Sequence, residues 1–363
     1  MRSNLNSWVS SLLLLLLAGL VSACGPKNPS ELSIDVDALA VFPAPPDTAR
    51  IQFLTAIGTS RDVEAEESPS FLERLAGTEA EDDIDAIRKP HGIAVAPGKI
   101  YVCDSGLPGV EVIDLKLRTF DVLGGEGSAP LARPLGCATD PATGRLFVAD
   151  VVRNEVVVFG PLGGFVTRID MEGERPTGVT YDGESLWVAY PTLRRVVRYD
   201  GQSLEPVGAI PADPDSEDNT LALPSYVSVA DGEVYVTDQG RFEVQVFSTE
   251  GEYLRAVGEH GTGLGTFTRP KDNAVSRDSI LYVVDAAFQN VQLFNYEGQI
   301  LMYFGGAYQG PGYMYLPSGI AVDYDNVAYF QEFVRPGFEV KYLIYVVNQF
   351  GPDKVSVYGF VGP

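Results

Sequence analysis

The sequence predicts an all-β chain folded as a six-bladed β-propeller, and three observations carry that reading. Six prolines, Pro90, Pro134, Pro176, Pro224, Pro270 and Pro317, recur at spacings of 44, 42, 48, 46 and 47 residues. Each opens a group of short segments rich in β-branched and aromatic residues and bounded by turn residues, which is strand composition rather than helix composition. Four such segments every ~45 residues is the period of a propeller blade, a sheet that buries both its faces only between neighbours. The 38 glycines and 25 prolines among 363 residues exceed the usual combined share of about 12% and imply many turns.

Within each repeat the strands follow in a fixed order. The first comes directly after the proline, as in Gly92-Ile93-Ala94-Val95 and Gly319-Ile320-Ala321-Val322. The second is the most apolar and ends in a polar residue. Ile100-Tyr101-Val102-Cys103-Asp104, Leu146-Phe147-Val148-Ala149-Asp150, Val234-Tyr235-Val236-Thr237-Asp238 and Leu281-Tyr282-Val283-Val284-Asp285 share the pattern, whereas blades 3 and 6 end in Tyr190 and Asn348. A third strand follows after about six residues, as in Val244-Gln245-Val246-Phe247 and Val291-Gln292-Leu293-Phe294. A fourth closes the unit, as in Tyr253-Leu254-Arg255-Ala256-Val257. The recurrent Asp104, Asp150, Asp238 and Asp285 are expected to cap the turn into the third strand by accepting backbone N–H groups.

These residues resemble NHL repeats, whose pattern runs Pro-x-Gly-hydrophobic, hydrophobic-Tyr-Val-x-Asp, then Val-Gln-hydrophobic-Phe. The resemblance covers residues 50–360 and implies an NHL- or TolB-like six-bladed propeller, with blades opening near 90, 134, 176, 224, 270 and 317. Blade 6 departs most, with an insertion at residues 331–342. Its residues run out after the third strand, near Tyr358, so residues 50–57 near the N-terminus are expected to complete it. Pairing the two chain ends removes an open sheet edge. Between that strand and blade 1, Ser70-Phe71-Leu72-Glu73 has capping-box spacing and predicts a short helix ending at Gly77, within an acidic loop.

The N-terminus reads as a targeting segment. Arg2 precedes an apolar stretch from Leu12 to Val21, about half of the ~20 residues that span a bilayer and suited to a signal peptide. Its end, Val21-Ser22-Ala23-Cys24, resembles the bacterial lipobox, which implies cleavage before Cys24 and acylation of that cysteine. Several acyl chains hold a soluble domain at a membrane where one does so only marginally. Gly25 in place of Asp favours the outer membrane over the inner. Residues 24–48, with Pro26, Pro29, Pro43, Pro45 and Pro46, read as a tether, and residues 49–363 as the propeller.

Composition bounds the function. With 26 Lys and Arg against 49 Asp and Glu, the net charge is −23, which excludes general nucleic-acid affinity because phosphate binding needs clustered cations. The chain has two histidines, His91 and His260, too few for a His-rich metal centre, and no Cys-x-x-Cys-His for c-type haem. His260 sits in the glycine-rich run 258–265, which lacks the spacing of a dinucleotide fingerprint. The acidic run Asp213, Asp215, Glu217, Asp218 lacks the glycine of a calcium loop. Cys103 and Cys137 occupy positions that are apolar in other repeats and read as buried free thiols, with a disulfide between them as the alternative that an exported compartment permits.

No catalytic constellation is visible, no cofactor is expected, and the reading is a binding or scaffold propeller for an envelope protein partner. The alternatives are an enzyme, a hydrolase or lyase with calcium in the central channel, or a receptor for a sugar or peptide. Fold does not choose among them. Candidate binding residues are those that break the repeat on the face where inter-blade loops converge. They are His91 after Pro90, Tyr226 in place of the blade 4 glycine, Lys271, Asp272 and Asn273 in blade 5, and Tyr190 in place of the blade 3 Asp. Arg194 and Arg195 follow Tyr190, and Arg241 lies in the next such loop. Tyr and Arg of this kind are the types enriched at binding hot spots.

Overall fold

The structure, a computed structural model, describes residues 38–64, 85–125, 130–212, 221–308 and 310–362. The signal segment, Cys24, the first part of the tether, the helix expected near Ser70 and the acidic run from Asp213 lie outside the described residues.

Val41–Phe42 (β1) and Ile51–Ile57 (β2) come first in the chain but join the last sheet. Blade 1 is Pro90–Ala96 (β3), Lys99–Asp104 (β4), Gly109–Asp114 (β5) and Thr119–Leu123 (β6). Blade 2 is Pro134–Asp140 (β7), Arg145–Asp150 (β8), Glu155–Phe159 (β9) and Phe165–Asp170 (β10). Blade 3 is Val179–Tyr181 (β11), Ser185–Tyr190 (β12), Arg195–Asp200 (β13) and Pro206–Ile210 (β14). Blade 4 is Pro224–Ala230 (β15), Glu233–Asp238 (β16), Glu243–Ser248 (β17) and Tyr253–Val257 (β18). Blade 5 is Pro270–Val275 (β19), Leu281–Asp285 (β20), Asn290–Phe294 (β21) and Ile300–Gly305 (β22). Blade 6 is Pro317–Asp323 (β23), Glu339–Asn348 (β24) and Val355–Gly362 (β25), extended outward by β2 and then β1.

Every sheet is antiparallel, a simple meander in blades 1–5, and each innermost strand touches the next, with β23 returning to β3 to complete the ring. Six apolar clusters fill the six seams. One example joins Ile100, Val102 and Ile113 of blade 1 to Tyr345, Val347 and Val357 of blade 6. The second strands are buried over most of their length, Ser185–Tyr190 at every residue, because both faces of a blade meet a neighbour. That is why they read as continuous apolar runs rather than alternating ones.

The outermost strands carry the opposite signature. In β10, β14, β18 and β22 the register slips by one residue, leaving Val166, Val207, Leu254 and Leu301 exposed. Such bulges twist an edge away from partners. In blade 6 the equivalent slip in β2 falls at Leu54, which is 1% exposed. The insertion covers this region. It forms a short 3-10 segment, Val327–Phe333, and returns as the long strand β24 from Glu339, earlier than the expected boundary at 342. Gln52 Nε2 donates to the Phe333 carbonyl at 2.8 Å, and the Arg335 N–H donates to Gln52 Oε1 at 3.1 Å.

The end of the expected tether belongs to the domain. Leu39, Ala40 and Phe42 pack on the core between blades 5 and 6, and the Phe42 ring meets Phe304 and Tyr313 at 6.2 and 6.1 Å. The Arg335 guanidinium donates to the Leu39 carbonyl at 3.0 Å. The unbroken apolar run Ala38, Leu39, Ala40, Val41, Phe42 made this packing possible despite the prolines that follow it.

Candidate functional site

The Asp that ends the second strand in blades 1, 2, 4 and 5 ties three chain segments together. Asp150 accepts N–H bonds from Ala132 and Arg133, which lead into the first strand, and from Val152 and Arg153 in the turn to the third. Asp238 does the same for Ala222, Leu223, Gly240 and Arg241, and Asp285 for Thr268, Arg269, Ala287 and Phe288. Asp104 holds Arg88, Lys89 and Gly106. These carboxylates are consumed by main-chain donors, and the geometry fixes where each inner strand enters the ring.

That placement builds a narrow collar from the six residues that follow the opening prolines: His91, Leu135, Thr177, Ser225, Lys271 and Ser318. The Thr177 hydroxyl donates to the Ser225 carbonyl at 2.9 Å, Ser225 to the Lys271 carbonyl at 3.1 Å, and Ser318 to the His91 carbonyl at 3.0 Å. The next residue is glycine in four blades because the neighbouring backbone leaves no room. A methyl group at Gly92 would lie 2.4 Å from the Leu135 oxygen, at Gly136 2.4 Å from that of Thr177, and at Gly319 2.4 Å from that of His91. Only glycine tolerates such an approach.

Three collar side chains, Thr177, Ser225 and Ser318, are thus spent on neighbouring carbonyls. His91, Leu135 and Lys271 remain. His91 Nδ1 lies 3.3 Å from Gln349 Nε2, while Nε2 is buried without a partner. Burial first, then the charges of Lys271, Lys89 and Arg133, draw the imidazole down to about 4, against an opposing contribution from Asp104. It is neutral at physiological pH. The Lys271 ammonium is half-buried and lowered by burial and by Arg269.

The other expected site residues separate into two groups. Tyr226 lines the channel, its ring over Gly178 and its phenol raised by burial and by Asp272. Arg194 and Arg241 lie on the loops between the second and third strands of blades 3 and 4, whereas Arg195, expected in the same loop as Arg194, is the first residue of β13 and pairs with Tyr190. Arg194 is exposed and donates to the Leu221 carbonyl at 2.9 Å, and Arg241 is exposed beside Glu243.

Three expectations are corrected. Tyr190 is not a surface anchor: it is 1% exposed, bonds the Tyr199 hydroxyl at 2.9 Å and packs between blades 2 and 3. Asn273 is 1% exposed and donates to Thr237 Oγ1 at 2.8 Å and to the Tyr235 carbonyl at 3.3 Å, fastening blade 5 to blade 4. Asp272 is 1% exposed, accepts the Ile320 and Asn273 N–H groups at 2.9 and 2.7 Å, and fastens blade 5 to blade 6. Burial raises its carboxyl well above the usual range, and those two donors only oppose the rise.

One buried acid was not singled out from the sequence. Glu111 occupies the third-strand position that is Gln245 in blade 4. It is 0% exposed, and neither carboxyl oxygen meets a donor in good geometry. Burial, and then neighbouring Asp104, push it up to about 10. Below the ordinary carboxylate pKa of ~4.3 the proton is held in both folded and unfolded chains. From there up to about 10 only the folded chain holds it, so stability falls as pH rises. Gln245 donates to Asp238 at 3.3 Å, and Glu111→Gln is expected to make the same bond to Asp104. Urea unfolding at pH 5, 7 and 9 should show a gain of about 1–3 kcal/mol at pH 9 and a shallower pH slope. An unchanged slope would place the pH dependence elsewhere.

Cys103 and Cys137 are free and buried in the seam between blades 1 and 2. Among the described residues no group of three or more His, Cys, Asp or Glu side chains is placed to hold a metal ion, and no helix is long and apolar enough to cross a membrane. On the face opposite the collar, a cleft of about 220 Å³ opens between blades 1 and 2, lined by residues including Lys99, Tyr101, Asp140 and Arg145. Its charges are committed: Arg145 to Asp140 and to the Gly201 carbonyl, Lys99 to Asp114. At the collar, by contrast, the Lys271 ammonium and His91 Nε2 meet no hydrogen-bond or ion-pair partner among the described residues.

Residues 215–327 match the family DUF5128, described as a 6-bladed beta-propeller. In sequence, no curated protein matches the chain. A structural-genomics protein of unknown function from Bacteroides thetaiotaomicron superposes with a TM-score of 0.56 at 15% identity, covering 85% of this chain and 75% of that one. A streptogramin B lyase gives 0.52 at 13% identity over 76% of this chain and 84% of the lyase. A chain of a nidogen/laminin complex gives 0.50 at 16% identity over 62% and 86%. Likeness at such identity establishes the six-bladed fold alone, which here carries both a lyase and a binding protein.

Proposed function

We propose that this propeller is a binding protein of the bacterial cell envelope, held at a membrane by an acylated Cys24 and engaging an envelope protein through the mouth of its channel. One observation carries the reading. At the collar the Lys271 ammonium and His91 Nε2 have no partner among the described residues, whereas the cleft on the opposite face has its charges internally paired. Open, partly desolvated polar groups beside accessible ones are what a binding surface offers. A rigid ring of six sheets presents them without reordering.

Site-specific photo-crosslinking tests the surface. A photoreactive residue at Arg269, on the rim, is expected to trap a partner in intact cells, and the same residue at Pro141, in the opposite cleft, is not. Adducts from Pro141 alone would move the functional surface to the other face. The anchor is read from the mass of the N-terminal peptide of membrane-purified protein, where an unmodified Cys24 thiol would remove it from the proposal.

A further inference from the structure

The rim above the collar is basic in a chain with nearly twice as many acids as bases, 49 against 26. The residue before the opening proline is Lys89, Arg133, Arg175 and Arg269 in blades 1, 2, 3 and 5. Because the second-strand Asp pins that residue's own N–H in blades 1, 2 and 5, these side chains start from one level of the ring. Arg133, Arg175 and Arg269 are exposed. Lys89, Arg133 and Lys271, from three different blades, all act electrostatically on His91, and Arg269 acts on Lys271. The carboxylate that acts on His91 is Asp104, which already accepts three main-chain N–H groups.

The imidazole is set up as a donor. With the Gln349 amide nitrogen facing Nδ1, Nδ1 accepts and the proton sits on Nε2, the buried atom without a partner. A buried donor and a half-buried ammonium without acceptors each carry a desolvation cost. One anion at the collar would relieve both.

We propose that the collar is an anion site, taking one acidic group, carboxylate or phosphate, of a ligand that enters the channel from the mouth. Lys271 and His91 form its floor, and Lys89, Arg133 and Arg269 its rim. The inference rests on the mouth being the binding surface and names the chemistry it selects.

The chain's two histidines make the test direct. His260, whose ring meets that of Phe242 in a tilted contact at 4.4 Å between centroids, is the internal control. Imidazole NMR signals of the full chain in detergent are followed at pH 7 while sodium phosphate, sodium acetate or sodium chloride is added at matched ionic strength. The His91 signals are expected to move saturably with phosphate or acetate and not with chloride, and His260 to stay still. A response to phosphate alone assigns a phosphate-bearing ligand, and one to acetate alone a carboxylate. Lys271→Gln and Arg133→Gln should each raise the anion concentration needed by about tenfold, with His260 unchanged to report an intact fold. No movement of His91 with either anion, or equal movement of both histidines, overturns the anion site. Trapping of a partner from Arg269 without any His91 response would leave the binding surface standing and remove only the anion.

Discussion

Deleting residues 49–57 is expected to unfold the propeller, not merely to trim it. The deletion removes β2, whose Ile51, Phe53, Leu54 and Ile57 are 0%, 4%, 1% and 3% exposed. At about 1.5–3 kcal/mol for each fully buried apolar side chain, the loss is of order 6–12 kcal/mol. A domain's whole stability is about 5–15 kcal/mol. The deletion also frees the edge of β25, which pairs with β2 from Ile57↔Val355 to Ile51↔Phe360. An unpaired strand edge between apolar faces invites association. By contrast, deleting residues 25–45 leaves β2 in place and, among the described residues, removes β1, the Arg335 bond to Leu39 and the partly buried contacts of Leu39, Ala40 and Phe42, an apolar cost of about 1–3 kcal/mol. Thermal melts followed by circular dichroism separate the two. The first chain should show no cooperative transition, and the second a transition a few degrees below the parent. A parent-like melt of the first would mean that β2 does not hold the ring together.

The repeat was legible because its physics is local. Continuous apolar second strands, glycine-bounded turns and the spacing of Pro90, Pro134, Pro176, Pro224, Pro270 and Pro317 each follow from a blade buried on both faces. The capping role of Asp104, Asp150, Asp238 and Asp285 was legible for the same reason. Tyr190 misled because a large polar ring replacing a turn Asp suggests an exposed anchor. The end of the second strand is buried in every blade, with Asp104, Asp150, Asp238, Asp285 and Asn348 all 0% exposed, so whatever stands there turns inward. Asn273 and Asp272 misled similarly, since the inner strands alternate between channel and seam, and both are spent fastening blade 5 to its neighbours. The basic rim was present in the sequence as the residue before the opening proline in four of six repeats. Patterns of apolar residues do not display it, and its meaning depends on a ring bringing residues ~45 positions apart to one mouth. Glu111 stood out only as a departure from the Gln of blades 4 and 5. That it is sealed beside Asp104 is a property of packing.

The mouth of the channel as the binding surface is tested most directly by two substitutions with the same change of charge. Lys271→Glu alters the collar. Lys116→Glu alters the exposed turn between the third and fourth strands of blade 1, on the opposite face. Both proteins, shown to melt like wild type, are used to capture partners from detergent-solubilised membranes of cells lacking the native copy. Truncated hot-spot residues cost ~2 kcal/mol or more, and 1.4 kcal/mol is a factor of about ten. Lys271→Glu is therefore expected to weaken capture by at least about thirtyfold, and Lys116→Glu to leave it unchanged. Full capture by Lys271→Glu, or its loss with Lys116→Glu alone, would contradict the assignment of function to the channel mouth.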